Sequence, residues 1–304
     1  MEQTFYSNGK LLITGEYTVL DGAKALALPT VFGQSLSVKQ NNNEIVSWRS
    51  FDSDGTVWIE VDLSFEEIKN NSFCSENPIE NRLAEILLEA FRLQPDFLAE
   101  KKGYQIETRL SFPREWGLGT SSTLINNLAT WLNINPYKLL KNTFNGSGYD
   151  IACAQNNSPI LYHLNNDEPI AESIDFYPQF HHNLYFVYLN RKQNSKAAIA
   201  SYYNKQPQLK NTIKSINEIT SQILKVKELS QFAYLLEKHE VIMSDVLEME
   251  TVKERFFNDF KGVIKSLGAW GGDFVLAVCK DNPTAYFKQK GFEVVIPYSK
   301  MILK

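Results

Sequence analysis

Between residues 11 and 38 short apolar runs alternate with turn residues: LLITGEY, then TVLDGAKALALPT, then SLSVKQ. That pattern predicts strands joined by tight loops. Asn41, Asn42 and Asn43 mark a turn, and Gly55 sits in another between two β-prone runs, EIVSW and TVWIEV. From Pro78 to Arg92 the period changes. Ile79, Leu83, Ile86, Leu87 and Ala90 recur at helical spacing, with Glu80, Glu85 and Glu89 on other faces, which predicts an amphipathic helix. YQIETRLSF at 104–112 reads as a strand running into Pro113, and STLINNLATWLN as a buried helix. Pro136 opens a second short helix, and Asn145-Gly146-Ser147-Gly148 breaks the pattern.

PILYHL and LYFVYL have the composition of buried strands. After Pro207 long helical periodicity covers 209–226 and 228–248, the second with Leu229, Phe232, Leu235, Leu236 and His239 on one face. A further helix is expected over 252–266, ending at Gly268. FVLAV (274–278) and FEVVI read as short strands separated by a turn at Asp281-Asn282-Pro283. No internal repeat or low-complexity segment interrupts this order. The expectation is a mixed α+β chain, divided in the polar stretch 165–180 into domains 1–170 and 171–304.

Composition narrows the function. The chain has 304 residues, 43% hydrophobic, enough for a sizeable core and so against overall disorder. Lys and Arg total 31 against 35 acids, a formal net charge of −4. A broad nucleic-acid surface would carry a basic excess, so any anionic ligand must be held locally. The three cysteines are far apart with no CxxC pair, as in a protein with reduced thiols. Neither a signal-peptide pattern nor an apolar run long enough to span a membrane is present. The expected location is the cytoplasm.

Four segments carry candidate chemistry. Pro113-Arg114-Glu115-Trp116-Gly117-Leu118-Gly119-Thr120-Ser121-Ser122 lies between a predicted strand and a predicted helix. Glycines let the backbone approach a ligand, and the hydroxyls fall at the helix start, where unpaired N–H groups and the dipole favour an anion. The same residues also fit a tight turn with a Ser/Thr N-cap. In Ser7-Asn8-Gly9-Lys10-Leu11-Leu12-Ile13-Thr14-Gly15-Glu16-Tyr17 a lysine and a glutamate flank a short apolar strand, which also fits a hairpin edge with solvated ends. In Asn145-Gly146-Ser147-Gly148-Tyr149-Asp150-Ile151-Ala152 a carboxylate leaves a glycine-rich loop. It could orient or deprotonate a hydroxyl, or simply cap a helix. Ser266-Leu267-Gly268-Ala269-Trp270-Gly271-Gly272-Asp273 is a glycine cluster that also fits a helix C-cap and turn. The P-loop, the dinucleotide fingerprint and the protein-kinase signatures are absent.

Taken in order, these segments resemble the GHMP kinases, the superfamily of galactokinase, homoserine kinase, mevalonate kinase and phosphomevalonate kinase. NGKLLITGEY stands for the family's G-K…G-E segment, PREWGLGTSS for its P-x-x-x-G-L-G-S-S loop, and GAWGGD for its C-terminal glycine loop. GEY and GAWGGD look most like phosphomevalonate kinases, and GSGYDIA resembles a GYDIA-type subgroup. The resemblance implies a two-lobed α+β fold, with an N-terminal lobe like domain 2 of ribosomal protein S5 and a ferredoxin-like C-terminal lobe. It implies an ATP- and Mg²⁺-dependent phosphotransferase acting on a small hydroxy acid or its phosphate, of the mevalonate-pathway type. An ATP-dependent decarboxylase of the same fold, or a catalytically weakened ATP-binding homologue, is the alternative.

The roles follow residue by residue. Asp150 matches the catalytic aspartate and Lys10 the lysine that supports it. Gly117, Leu118, Gly119, Thr120, Ser121 and Ser122 match the ATP-phosphate loop, with Ser121 at the position that helps bind Mg²⁺. Glu16, Tyr17, Gly148, Lys192, Gly271 and Gly272 match substrate-side positions. ATP and a small molecule are the implied partners, without nucleic acid or membrane, and a homodimer is compatible. Two departures stand out. The short segment NPYKLLKNTF before NGSGYD contains no acid where relatives carry a metal-binding glutamate, and Trp270 replaces a glycine of the C-terminal loop.

Overall fold

The computed structural model describes residues 2–99, 102–191, 202–203, 209–268 and 270–304. Its elements run β1 (Glu2–Leu12), β2 (Ala25–Asn41), β3 (Ile45–Phe51), β4 (Val57–Ser64), α1 (Phe65–Asn70), α2 (Pro78–Leu93), β5 (Gly103–Leu110), α3 (Thr120–Leu132), α4 (Pro136–Thr143) and α5 (Tyr149–Gln155). There follow β6 (Ile160–Asn165), β7 (Glu168–Ser173), β8 (Leu184–Tyr188), α6 (Leu209–Ile223), α7 (Leu229–Leu247), α8 (Val252–Phe256), β9 (Val263–Ser266), β10 (Phe274–Val278), α9 (Thr284–Gln289), β11 (Val295–Pro297) and α10 (Tyr298–Met301). The chain separates into two compact units. The first comprises residues 1–9, 32–114 and 118–155, and the second 10–31, 115–117 and 156–304.

In the first unit, β3 pairs antiparallel with β4 and parallel with β5, and β5 pairs antiparallel with the later part of β2, from Gln34↔Leu110 to Asn41↔Gly103. Leu36, Val38, Val46, Trp48 and Ile106 point from this sheet into a core completed by Leu83, Ile86 and Leu87 of α2 and Ile125 and Leu128 of α3. Local chemistry sets the helix starts. Ser64 and Glu67 form a reciprocal capping box at α1. Asn77 caps α2 and Asn135 caps α4, each followed by a proline at the first helical position.

In the second unit the start of β2 pairs with β6, and β6 with β7. A separate antiparallel sheet has the order β11-β8-β10-β9. Val187, Val275 and Ala277 of this sheet share a core with Phe257 and Phe287. The expected helix over 252–266 is corrected here: α8 stops at Phe256, and Val263–Ser266 is a strand paired with β10. All four β9 residues are buried, so burial on both faces replaces the alternation that would have revealed a strand.

Candidate functional site

The first unit presents the second half of the glycine loop. Gly119, at φ 101°, is the N-cap of α3, and no side chain caps this helix end. Thr123 N donates to Gly119 O at 3.0 Å, so the amides of Thr120, Ser121 and Ser122 precede the first intrahelical bond. The first turn carries no acid, which leaves its positive end available to an anion. The hydroxyls divide sharply. Ser121 is exposed, whereas Ser122 is buried and donates to Gly119 O at 2.9 Å.

A buried polar network anchors α3. Asn126 Nδ2 donates to Ser7 Oγ at 2.9 Å, Ser7 Oγ to Asn127 Oδ1 at 2.8 Å, and Asn127 Nδ2 to Gln34 O at 2.9 Å. Thr123 Oγ1 completes it with Gln34 Oε1 at 2.9 Å. Satisfied networks of this kind rigidify what they connect, so the helix end is held against β1 and β2. The opening of the Ser7–Tyr17 segment thus supports the glycine loop through Ser7.

Asp150 lies in the first turn of α5, which packs on α3. Asn145, Gly146 and Gly148 precede it with φ of 62°, 122° and 85°, a left-handed run that delivers the carboxylate half-buried. Its Oδ1 accepts from Ile151 N at 3.0 Å. On α4, Tyr137 has its hydroxyl pushed up to about 12 by burial and then by the negative charge of Asp150. Tyr137 escaped the sequence reading, because a tyrosine in an amphipathic helix signals only packing.

The second unit holds the first half of the loop. Lys10, half-buried, donates from Nζ to Gly117 O at 3.1 Å. Gly117 has φ 65°, and a Cβ there would overlap the Asp273 carboxylate, so only glycine fits. Trp116 stacks edge-on against Phe274 at 5.4 Å, and Tyr188 Oη donates to Glu115 O at 3.1 Å. The first, second and fourth sequence segments therefore meet at Lys10, Gly117 and Asp273.

Glu16 and Tyr17 are placed differently from the solvated ends of a hairpin. Glu16 is 2% exposed, and its Oε1 accepts from Lys265 Nζ at 2.5 Å. Burial lifts its carboxyl to about 7 against the opposing pull of Lys265. Tyr17 has φ 59° and ψ −47°, a conformation costly for a side-chain-bearing residue. Its Oη accepts from Trp270 N at 3.0 Å. Trp270 is 1% exposed and donates from Nε1 to Glu250 O, so the indole is core rather than surface. Gly148, Gly271 and Gly272 are buried, and Lys192 lies outside the described residues. Lys265 escaped the sequence reading because it falls in a segment expected to be helical.

Among the described residues no cluster of three or more His, Cys, Asp or Glu side chains suits a metal ion, and no helix is long and apolar enough to cross a membrane. No family profile matches the sequence, nor does any curated protein. Solved structures do match. Mevalonate kinase from Methanococcus jannaschii aligns with TM-score 0.68 at 18% identity, over 97% of this chain and 96% of that one. Streptococcus pneumoniae phosphomevalonate kinase, in complex with phosphomevalonate and AMPPNP, aligns with TM-score 0.66 at 18% identity over 99% and 98%. Lactococcus lactis galactokinase, complexed with galactose, aligns with TM-score 0.65 at 12% identity over 95% and 88%. The chain has the fold of the GHMP kinases.

Proposed function

We propose that the protein is an ATP-dependent small-molecule kinase. The observation that carries this reading is the acid-free N-terminus of α3, with no side-chain cap, directly after the glycine loop. Amides fixed there bind an anion without reorganisation, which is the main demand of phosphoryl transfer. In this reading the backbone of Gly117–Ser122 holds the ATP phosphates. Lys10 offsets the charge of the transferred group, and Asp150 orients the acceptor hydroxyl and takes its proton.

The donor set fits Mg²⁺ brought in by ATP, since Mg²⁺ binds through one or two protein oxygens together with substrate phosphates. Ser121, exposed, and Asp150, half-buried, would hold it, and Mg²⁺ would supply further charge neutralisation. α4 contributes no carboxylate, so no third protein ligand is assigned.

We further propose a mevalonate-type acceptor, a small hydroxy acid or its phosphate, on the GEY and GAWGGD segments together with the likeness to phosphomevalonate kinase. By the motif resemblance Gly148, Tyr17, Lys192, Gly271 and Gly272 match acceptor-side positions, while Glu16 acts by holding its turn. The same reading places the protein in the cytoplasm. ADP release with ATP, Mg²⁺ and, separately, mevalonate, phosphomevalonate and galactose tests it. Turnover with the first or second supports the acid acceptor, and turnover with galactose alone overturns it. CO₂ release alongside ADP would identify a decarboxylase.

A further inference from the structure

Inside the second unit four ionisable side chains from a turn, a helix and a strand meet out of solvent. Glu16 follows β1, His239 and Glu240 are consecutive on α7, and Lys265 lies on β9; each is at most 3% exposed. Lys265 Nζ donates to Glu16 Oε1 at 2.5 Å and to Ser266 O at 2.6 Å, and lies 3.5 Å from Glu240 Oε2. Glu240 accepts from Ser266 N at 3.1 Å and from Ser266 Oγ at 2.6 Å. His239 Nε2 accepts from Gly15 N at 3.1 Å and lies 3.3 Å from Glu16 Oε2. An Nε2 that accepts carries no proton, which makes the ring the neutral Nδ1–H tautomer.

Two adjacent residues of one helix thus grip two distant segments. His239 takes the amide of Gly15, and Glu240 takes the amide and hydroxyl of Ser266. Lys265 ties both together from β9. The far ends of these segments are joined again by the Trp270 N to Tyr17 Oη bond at 3.0 Å, which closes a ring. Gly15, at φ 91°, also admits no side chain, since a Cβ would lie 2.8 Å from the Ala25 Cβ. A strained turn at Tyr17 persists only when its surroundings over-determine it, and this network supplies that constraint.

A purely stabilising role fits the composition poorly. Apolar residues of equal volume commonly match or exceed a buried ion pair in stability. Two carboxylates, one ammonium and a neutral imidazole also leave a net charge of −1 inside the unit when both acids are ionised. What the arrangement does supply is direction: His239 Nε2 meets the Gly15 amide, Glu240 meets Ser266, and Lys265 Nζ meets Glu16, while Glu16 Oε2 and His239 Nδ1 have no hydrogen-bond partner among the described residues.

We infer that His239, Glu240 and Lys265 form a positioning device that holds the Gly15–Tyr17 turn, Ser266 and Trp270 in one mutual arrangement, and thereby sets the acceptor side of the transfer reaction. The kinetic part of this inference rests on the kinase reading above; the structural part does not.

Amide hydrogen exchange on the full-length protein tests it through remote effects. His239→Leu removes the acceptor for Gly15 and is read at 266–274, while Ser266→Ala removes a hydroxyl bonded to Glu240 and is read at 13–18. Each is expected to raise exchange at the remote segment by about 3- to 30-fold. His239→Gln, which restores an acceptor, should return exchange near wild type. With a turned-over acceptor, both variants should raise the acceptor KM by a similar factor and leave the ATP KM within about twofold. Exchange confined to the segment touching the substituted residue would overturn the coupling. A wild-type protein that turns over no acceptor would refute the kinase reading, while the exchange result would still decide the network. If His239→Leu does not fold, Ser266→Ala and His239→Gln carry the test.

Discussion

Lys10 Nζ donates to the carbonyl of Gly117 at 3.1 Å, joining residues 107 positions apart in the chain. The contact ties the lysine of the Ser7–Tyr17 segment to the start of the glycine loop, so charge and backbone geometry are fixed together. Lys10→Met keeps the aliphatic stem and removes the charge. Because the lysine is half-buried, the expected loss of stability is about 1 kcal/mol. In the proposed role the lysine offsets the charge of the transferred group, and its loss should instead lower kcat about 10²- to 10³-fold. Thermal melts and steady-state kinetics on the same sample separate the two effects, and a variant with unchanged kcat contradicts the assigned role.

Gly117 carries a second prediction. Gly117→Ala meets both a positive φ and the Asp273 carboxylate. A strained position of this kind costs about 1–3 kcal/mol, and moving the carboxylate away from the loop should weaken ATP binding. Calorimetric titration with ATP checks it. Normal affinity in Gly117→Ala would show that the loop tolerates displacement.

The two neighbouring serines should part company. Ser121→Ala removes an exposed hydroxyl and should leave the melting temperature near wild type while raising the Mg²⁺ concentration needed for half-maximal turnover. Ser122→Ala removes the buried hydroxyl bonded to Gly119 O and should cost about 1 kcal/mol of stability with little change in Mg²⁺ dependence. The opposite assignment of effects would contradict the division of roles.

Glu16 makes a pH-dependent prediction. Its carboxyl is lifted from 4.5 to about 7, so the folded state holds a proton that the unfolded state releases. That contribution is full below pH 4.5 and is lost as pH rises through about 7. His239 runs the other way. Burial and Lys265 hold its ring neutral, well below the usual 6.5, so its contribution is lost as pH falls below 6.5. Glu240, beside the same Lys265, is also raised by burial, so above pH 6.5 Glu16 and Glu240 act in the same direction. Stability should fall with rising pH, and Glu16→Gln should flatten that fall in thermal melts. An equally steep fall in Glu16→Gln contradicts the assignment. Lys265→Met, which strands two buried carboxylates, should cost about 3–5 kcal/mol.

The sequence made the four motifs and most elements legible because glycine runs, N-caps and helical periodicity are local signals. α2, α3 and the two long helices α6 and α7 fall where the apolar spacing puts them, and α4 where Pro136 opens it. β9 was not legible: burial on both faces gives VIKS no alternation, and a lysine within it reads as solvent-facing. Its charge is instead met by Glu16, 249 residues away in the chain. The same distance hid the part played by His239, which shares an apolar helix face and therefore reads as core. Trp270, which replaces a glycine of the C-terminal loop, is 1% exposed, and its bond to Glu250 O ties it into the core.

Replacement of Asp150 by Asn tests the central claim most directly, with turnover and ATP affinity measured on one preparation. Asn keeps the size and the hydrogen-bonding geometry at the start of α5 but cannot take a proton. The expected result is kcat lowered by about 10²- to 10⁴-fold, with ATP affinity within about twofold of wild type. An Asp150→Asn protein that transfers phosphate at the wild-type rate would contradict the account.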